Sequence, residues 1–484
     1  MHADGRNLAT QRGHAAHPAA VAPRWPWSLL VLLCVAQFMV ILDATVVNVA
    51  LPSIGRALHF AAGDLSWVVT AYVLFSGGLV LLGGRASDVV GRRATFLAGL
   101  AVFTAASLAS GLAPSADALI AARAGQGLGA ALLTPAALSI ITTVYSGAQR
   151  ATALSVWGAI GGGGAAAGVL AGGMLTTWLG WRSVFLVNVP VGLVAAAASL
   201  RLLPSGGTAG IRRELDLPGA LLVVAGLVTG VYALAGAPEH GWGSVRTLSL
   251  LALSLGLLAA FTAAERRARQ PLLPPRTWRS RSLTAGAVVM LGATGILVGT
   301  FFLNSLYLQD VRGASALRVG LEFLPLVAAI GLGAHLASRL LPRTGSRVLA
   351  VAGLVLMGGG ALLLSGVSAR AGYATGLLPG LLLIGSGTGL VFPAATVAAM
   401  SEVAADRAGL ASGLMTAAHE IGAALGVAVF AAVAAATAAA GGGFAAGYRH
   451  GFIVVAATAA GLAVAALLAI PAVRPAPGTS VAVH

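Results

Sequence analysis

The strongest constraint on the fold is a series of long apolar runs that extends over almost the whole chain. A helix crosses a hydrocarbon core of ~30 Å with about 20 residues and satisfies its own backbone polar groups there. The mean hydropathy of +0.92, with 9% charged residues, excludes a soluble globular domain. We predict an all-α polytopic membrane protein with fourteen transmembrane helices, near residues 27–50, 66–83, 94–112, 117–140, 151–176, 183–203, 217–236, 247–264, 282–308, 317–339, 347–367, 373–397, 408–436 and 451–471.

The distribution of arginine predicts the orientation of these helices. An even number of spans places both termini on one side of the membrane. If that side is cytoplasmic, twenty-one arginines lie in inner segments and seven in outer segments, while Arg123 lies within a helix. Because positively charged loops stay inside, we predict cytoplasmic tails at 1–24 and 473–484.

Three pairs of motifs indicate an internal repeat. "GGRASDVVGRR" after helix 2 recurs as "ASRLLPRTGSR" after helix 10, "GQGLGAALLTPAA" in helix 4 recurs as "GSGTGLVFPAA" in helix 12, and "QRATALS" recurs as "DRAGLAS". Matching glycines and arginines in these pairs are 254, 260 and 257 residues apart, in the same order. We predict two parallel six-helix repeats at 25–203 and 282–472, with two inserted helices and their linkers at 204–281. Transporters that rock two halves around a midplane site use such repeats.

The same motifs resemble signatures of the major facilitator superfamily. "LDATVVNVALP" in helix 1 and "RAGQGLGAALLTPAAL" in helix 4 resemble those of its fourteen-helix drug/proton antiporter group, and "GAIGGGGAAAGVLAGG" is similar to the antiporter signature of helix 5. Helix 5 has Ala165 and Val169 where that group usually has proline. The loop after helix 2 is similar to G-x-L-A-D-R-x-G-R-R, with matches at Gly84, Asp88, Gly91, Arg92 and Arg93.

This resemblance implies a proton-driven exporter of amphipathic small molecules, such as drugs or antibiotics, in a bacterial cytoplasmic membrane. Its expected partners are a small-molecule substrate, protons and the lipid bilayer, and the expected state is a monomer without a cofactor. A facilitator-fold transporter of a defined metabolite is an alternative.

A membrane sensor, an enzyme and a nucleic-acid-binding protein are less compatible with the sequence. A sensor would need a soluble output domain, and the longest inner loops are only 201–216 and 265–281. No nucleophile–base set, metal cluster or Walker motif is present, so neither enzymatic catalysis nor ATP drive is expected. The net charge of +15 comes from arginines in short loops rather than from one basic face.

Three charged residues within predicted helices are candidates for proton coupling. Asp43 and Arg123 lie at similar estimated depths, ~10 Å and ~9 Å from the outer ends of helices 1 and 4. An acid in the membrane is costly, and one that shares a site with an arginine can change its charge state when the arginine moves. Glu420, near the middle of helix 13, is the third candidate. His419 points about 100° away from it, so this pair predicts no metal site.

Two further motifs predict conformational roles. In the loop after helix 2, Gly84 and Gly91 permit turns, and Asp88 could pair with inner arginines when the cytoplasmic side is closed. A simpler interpretation is that Arg92 and Arg93 only fix the orientation of the chain in the membrane. In helix 5, a glycine stripe with a spacing of four residues predicts close packing with a partner helix and a smooth surface for movement of the halves. The stripe consists of Gly164, Gly168 and Gly172.

Overall fold

The computed structural model confirms the predicted fold class. It describes residues 26–60, 64–203, 215–268, 271–274, 277, 280–367, 372–403 and 407–474. The predicted tail at 1–24, the linker part at 204–214 and residues 475–484 of the other tail lie outside this description. Fourteen helices in the described part are long and apolar enough to cross a membrane.

The helices are numbered α1 to α14 in chain order. Their bounds are α1 Pro26–Leu58, α2 Trp67–Val89, α3 Arg92–Gly111, α4 Ala116–Val144, α5 Gly147–Leu179, α6 Ser183–Leu202 with a break at Val187, α7 Leu217–His240, α8 Val245–Arg267, α9 Arg281–Leu306, α10 Ala316–Thr344, α11 Ser346–Ser365, α12 Leu378–Met400, α13 Ala408–Thr437 and α14 Gly443–Ala469. A π-helical turn, Tyr307–Val311, extends α9.

Several helices are longer than their apolar runs. The run predicted to end at residue 50 continues as α1 through Pro52 to Leu58, where Leu51 and Ile54 are fully buried. The run predicted to start at 451 begins as α14 at Gly443. Beyond the hydrocarbon core a helix needs no apolar outer surface, so hydropathy marks the span rather than the end of the helix.

Short polar side chains start five of the helices. Ser115, Ser244, Ser280 and Ser315 precede α4, α8, α9 and α10, and each accepts a hydrogen bond from the backbone N–H three residues later. Asp216 does the same before α7, where its Oδ1 lies 2.9 Å from Gly219 N. These caps satisfy backbone donors that the first turn of a helix leaves free.

Each half of the molecule uses the same helix pairings. In the first half, α4 packs on α2 and α3, α5 on α1, and α6 on α3. In the second half, α12 packs on α10 and α11, α13 on α9, and α14 on α11. The pairings recur in chain order, as expected for parallel repeats.

Two seams join the halves, α5 against α10 and α2 against α13. The inserted helices form a hairpin in which α7 packs on α8 and covers the second seam by contacting both α2 and α13. Adjacent glycines of α2 make this junction possible, because a Cβ at Gly77 would meet Glu420 of α13 and one at Gly78 would meet Val224 of α7.

The ends of the helices define two faces. We call the face with the α2–α3, α4–α5 and α10–α11 loops the arginine-rich face, and the face with the α1–α2, α5–α6 and α9–α10 loops the opposite face.

Candidate functional site

Asp43 lies in α1, and its side chain is completely buried. Its Oδ2 forms an ion pair with Nη1 of Arg123 in α4. Its Oδ1 accepts hydrogen bonds from Nε2 of Gln126 at 2.8 Å and from Nδ2 of Asn188 at 2.9 Å. Both carboxylate oxygens therefore have donors, as a buried charge requires.

The guanidinium of Arg123 is also held on several sides. Only 1% of the residue is exposed. Its Nε donates to the carbonyl of Val68 at 2.8 Å, and Nη1 donates to Oε1 of Gln126 at 2.9 Å. The Tyr72 ring stacks on it, with its centroid 4.4 Å from Cζ. The cation is thus fixed by α2 as well as by Asp43.

Two serines of α3 extend this cluster. Gln126 Nε2 donates to Ser107 Oγ at 2.8 Å, and Ser110 Oγ donates to Gln126 Oε1 at 3.0 Å. We call Asp43, Ser107, Ser110, Arg123, Gln126 and Asn188 the polar network. It joins α1, α3, α4 and α6, with Val68 and Tyr72 of α2 at its edge, and it lies wholly within the first half.

Four members of the network were not predicted from the sequence. Gln126 stands three residues after Arg123, a spacing that places both side chains on one helix face, and this was the available signal. Ser107, Ser110 and Asn188 gave none, because hydroxyl and amide side chains occur in many membrane helices as packing groups.

The structure does not bring Glu420 into the polar network. Glu420 lies in α13, next to Gly77 of α2, at the seam that α7 covers. Its side chain is part-buried, and within the described residues it has no hydrogen bond or ion pair. Within the same part of the chain, no group of three or more metal-ligating side chains could hold a metal ion.

The glycine stripe of α5 faces α1 in the same half. A Cβ at Gly164 would lie 3.1 Å from Ile41, one at Gly168 would overlap Thr45, and one at Gly172 would lie 2.8 Å from the carbonyl of Val46. The stripe thus lets α5 approach the segment of α1 that carries Asp43. The surface toward the other half is a different face of α5.

That other face of α5 contacts α10 near the opposite face of the molecule. A Cβ at Gly173 would lie 2.8 Å from Ala316 O, and one at Gly320 would lie 2.7 Å from Val169 O. Val169, which replaces a proline of the family pattern, therefore lies at the seam.

Further polar contacts join the halves at the opposite face. Arg56 pairs with Asp310 at 3.0 Å. Ser305 Oγ donates to the carbonyl of Asn48 at 2.6 Å, and Gln309 Nε2 donates to that of Val49 at 2.8 Å. Together with the α5–α10 contacts, these bonds close this side.

Toward the arginine-rich face the α5–α10 seam opens. A Cβ at Gly161 or Gly163 of α5, or at Gly331 of α10, would meet nothing within 4 Å. The close backbone contacts of this seam therefore lie toward the opposite face, whereas these three glycines nearer the arginine-rich face have open space around them.

The α2–α3 loop at the arginine-rich face is bonded to other helices of the first half. Gly91 has a φ of 104°, a conformation that favours glycine. Arg92 donates to Ser139 Oγ at 2.8 Å, and Arg93 donates to the carbonyl of Leu200 at 3.0 Å. Asp88 is exposed and has no ion pair among the described residues.

Gly84, at the start of this motif, lies within α2, and a Cβ there would come 3.9 Å from Pro135 of α4. It is therefore not part of the turn, and the close approach of α2 to α4 occurs at the neighbouring Gly83, where a Cβ would overlap the carbonyl of Ala131.

Comparison with known proteins identifies the family. The model of the Major Facilitator Superfamily matches residues 33–427. The chain belongs to this superfamily. The resemblance inferred from the motifs in helices 1, 4 and 5 and in the loop after helix 2 is thereby confirmed.

Several relatives carry names that concern antibiotics, and two of them illustrate the similarity. The chain is 47% identical to the puromycin resistance protein pur8 of Streptomyces alboniger, over 69% of this chain and 66% of that protein. It is 39% identical to the cephamycin export protein CmcT of Amycolatopsis lactamdurans, over 82% of each. The matched region thus spans slightly less than two thirds of the first relative.

The fold is similar to that of solved membrane transporters. One is a bacterial homologue of the human lysosomal transporter Spinster in an inward-facing conformation, with a TM-score of 0.65 and 16% identity over 92% of this chain and 97% of that one.

Proposed function

We propose that the protein is a proton-driven exporter that moves amphipathic small molecules out of a bacterial cytoplasm by alternating access. The observation that carries the proposal is the ion pair of Asp43 with Arg123, fully buried in the first half of a superfamily transporter. The names of the relatives support export of antibiotic-like compounds.

The arginine-rich face is the cytoplasmic face in this proposal, and both termini lie on that side. The positive-inside rule supports this orientation. The described conformation is then inward-open: the halves touch at the opposite face, through Arg56 and Asp310 for example, while Gly161 and Gly331, nearer the arginine-rich face, border open space. Substrate enters from the cytoplasm and leaves after the contacts exchange sides.

Proton coupling is assigned to Asp43. Its carboxylate is balanced by Arg123 and held by Gln126 and Asn188. A movement of Arg123 away from Asp43 therefore makes the charged form of the carboxylate less stable. Such a movement accompanies rearrangement of α4 against α1 and α2. Protonation of Asp43 in one conformation and its release in the other links proton entry to substrate exit.

Glu420 is the second candidate for the coupling acid. It is part-buried without a partner among the described residues, at the seam that must move during transport. The two acids are distinguished by their neutral isosteres, Asp43→Asn and Glu420→Gln.

Asp88 is assigned to the closing of the cytoplasmic face. In the inward-open conformation it is exposed. When α2 approaches the second half at that face, its carboxylate can pair with an arginine at the end of a neighbouring helix. The pair would stabilise the outward-open conformation.

The deciding experiment measures puromycin uptake by inside-out membrane vesicles under an imposed proton gradient. We expect uptake that a protonophore abolishes and that ATP depletion leaves unchanged while the gradient is clamped. Asp43→Asn should insert normally and lose uphill uptake. Uptake that continues with ATP in the presence of the protonophore would disprove proton coupling.

Proton release on puromycin addition, followed with a pH dye in detergent, then identifies the acid. If Asp43→Asn releases as many protons as the unmodified protein and Glu420→Gln releases none, the coupling role passes to Glu420.

A further inference from the structure

A second polar site lies in the other half, around His419 of α13. His419 Nδ1 is 3.0 Å from Oγ1 of Thr294 in α9. The imidazole also packs edge to face on Phe392 of α12, with ring centroids 5.5 Å apart. Three helices of the second half therefore fix the position of this ring.

The contact with Thr294 selects one tautomer of a neutral ring. The hydroxyl of Thr294 has a single proton and lies 2.9 Å from the carbonyl of Met290. If that proton is donated to Met290, Oγ1 is an acceptor and Nδ1 of His419 must carry the ring proton. Both contacts are satisfied only in this arrangement. Nε2 is then a hydrogen-bond acceptor.

Nothing in the described part of the chain occupies this acceptor. His419 is part-buried, and its only hydrogen-bond partner there is Thr294, through Nδ1. The position of His419 on α13 can be compared with the equivalent position on α5 in the first half. Gly164 of α5 and Gly422 of α13 are 258 residues apart, and each packs on the first helix of its half. The same spacing relates His419 to Gly161, where an added Cβ would meet empty space.

We propose that Nε2 of His419 accepts a hydrogen bond from the transported molecule. The site would select aromatic amphiphiles that present an N–H or O–H group beside the ring of Phe392. This inference rests on the proposed export function and deepens it by naming the chemical class that the second half binds. His419 is a binding residue here, and Thr294 is the residue that positions it.

Two isosteric variants separate the roles of the two ring nitrogens. In His419→Asn the amide can still reach Thr294 in the place of Nδ1, but no acceptor stands in the place of Nε2. In His419→Gln the amide oxygen replaces Nε2 as acceptor. Thr294→Val removes the hydroxyl at constant shape and frees the ring to change tautomer.

The probes are two cationic dyes of one scaffold. Rhodamine 123 carries amino N–H donors, whereas tetramethylrhodamine methyl ester carries methyl groups in their place. Fluorescence anisotropy of each dye with the purified full-length protein gives its Kd. This equilibrium measurement needs no proton gradient, so its failure is distinguishable from a failure of proton-driven export.

We expect the unmodified protein to bind rhodamine 123 about tenfold more tightly than the methylated dye, a ratio that one hydrogen bond can provide. The ratio should fall to about one in His419→Asn, persist in His419→Gln and be reduced in Thr294→Val. A purely structural role for His419 would weaken both dyes equally in every variant and would overturn the proposal. Equal affinity of the unmodified protein for the two dyes, or binding of neither, overturns it as well.

Discussion

The fourth helix of each half makes the same two glycine contacts. Gly127 of α4 abuts the carbonyl of Tyr72 in α2, and Gly129 abuts Phe103 in α3. In the second half, Gly385 of α12 abuts Leu326 of α10, and Gly387 abuts α11. The corresponding glycines are 258 residues apart, so the alignment from the sequence, which matched Gly125 with Gly385, was two residues out of register here.

This register shows how differently the two halves fill equivalent positions. Arg123 and Gln126 correspond to Leu381 and Ile384, both completely buried. On the first helix of each half, a Cβ at Gly168 would lie 3.3 Å from the carbonyl oxygen of Leu42, and one at Gly426 would overlap that of Gly295; matching these carbonyls makes Ile296 the counterpart of Asp43. The second half therefore builds the same helix contacts around an apolar core. A buried ion pair seldom stabilises a fold more than well-packed apolar side chains of the same volume do. We therefore attribute the polar network to function rather than to folding.

The loops at the arginine-rich face repeat the comparison. Gly91 and Gly345 both have positive φ, 104° and 83°. Arg93 donates to the carbonyl of Leu200 and Arg347 to that of Ile470, each at the end of the last helix of its half. Asp88, by contrast, corresponds to Pro342. The glycine and the second arginine serve the structure of each half, whereas the acid is peculiar to the first half.

The largest loss of stability is expected when Asp43 of the first half is replaced by an apolar residue, as at the equivalent position of the second half, while Arg123 is kept. Asp43→Leu leaves Arg123 buried without a counter-charge, which should cost about 3–5 kcal/mol of unfolding free energy. Adding Arg123→Leu should recover part of this loss, while transport is absent in both variants. Thermal unfolding in detergent and proton-driven uptake are the measurements.

The matched control in the second half is Ile296→Val, which should cost only about 0.5–1.5 kcal/mol. If Asp43→Leu is no less stable than this control, the comparison of the two cores is wrong.

Glycine-to-alanine changes at the helix contacts come next. Gly426→Ala forces a Cβ into the backbone of Gly295 and should destabilise by about 1–3 kcal/mol. Gly168→Ala meets the side chain of Thr45, which can rotate, so its effect should be smaller. Gly161→Ala meets nothing and should be neutral or stabilising by about 0.5–1 kcal/mol. Unfolding temperatures that rank the three variants otherwise would contradict this packing.

The loops separate structure from gating. Gly91→Ala and Gly345→Ala should each destabilise by about 1–2 kcal/mol, because alanine is strained at positive φ. Asp88→Asn should leave the unfolding temperature unchanged and impair transport, since it removes only the charge of an exposed side chain. Normal transport by Asp88→Asn would contradict the gating role and would mean that the loop only orients the chain in the membrane.

The smallest effect concerns the contact between the halves at the opposite face. Arg56 and Asp310 are 63% and 40% exposed, so Arg56→Ala should shift the balance of conformations by only about 0.2–1 kcal/mol toward the outward-open state. Thiol labelling of Gly163→Cys, in a Cys34→Ala background, should become slower. The swap Arg56→Asp with Asp310→Arg should restore the original rate; faster labelling in Arg56→Ala would reverse the assignment of the closed side.

The candidate site was partly accessible to sequence reasoning. Depth along a helix follows from residue number, because each residue rises ~1.5 Å, and this placed Asp43 and Arg123 at one level. The direction in which a side chain points around its helix depends on how that helix is rotated in the bundle. For this reason the sequence did not show that Gln126 and Asn188 reach Asp43, or that Glu420 lies outside this network, at the α2–α13 seam.

The sequence alone determined the fourteen spans, the parallel repeat and the family, since the bilayer imposes a minimum length on every apolar segment and a duplication leaves matching motifs at one spacing. Tertiary structure alone decided which helices meet. In the folded protein the glycine stripe of α5 faces α1, and Val169 and Gly173 contact α10 at the seam between the halves. Helix α7 covers the contact between α2 and α13. These outcomes depend on how each helix is rotated and on close backbone packing. Neither can be deduced from the hydropathy of individual side chains, because apolar residues of similar hydropathy occupy both packed and lipid-facing positions.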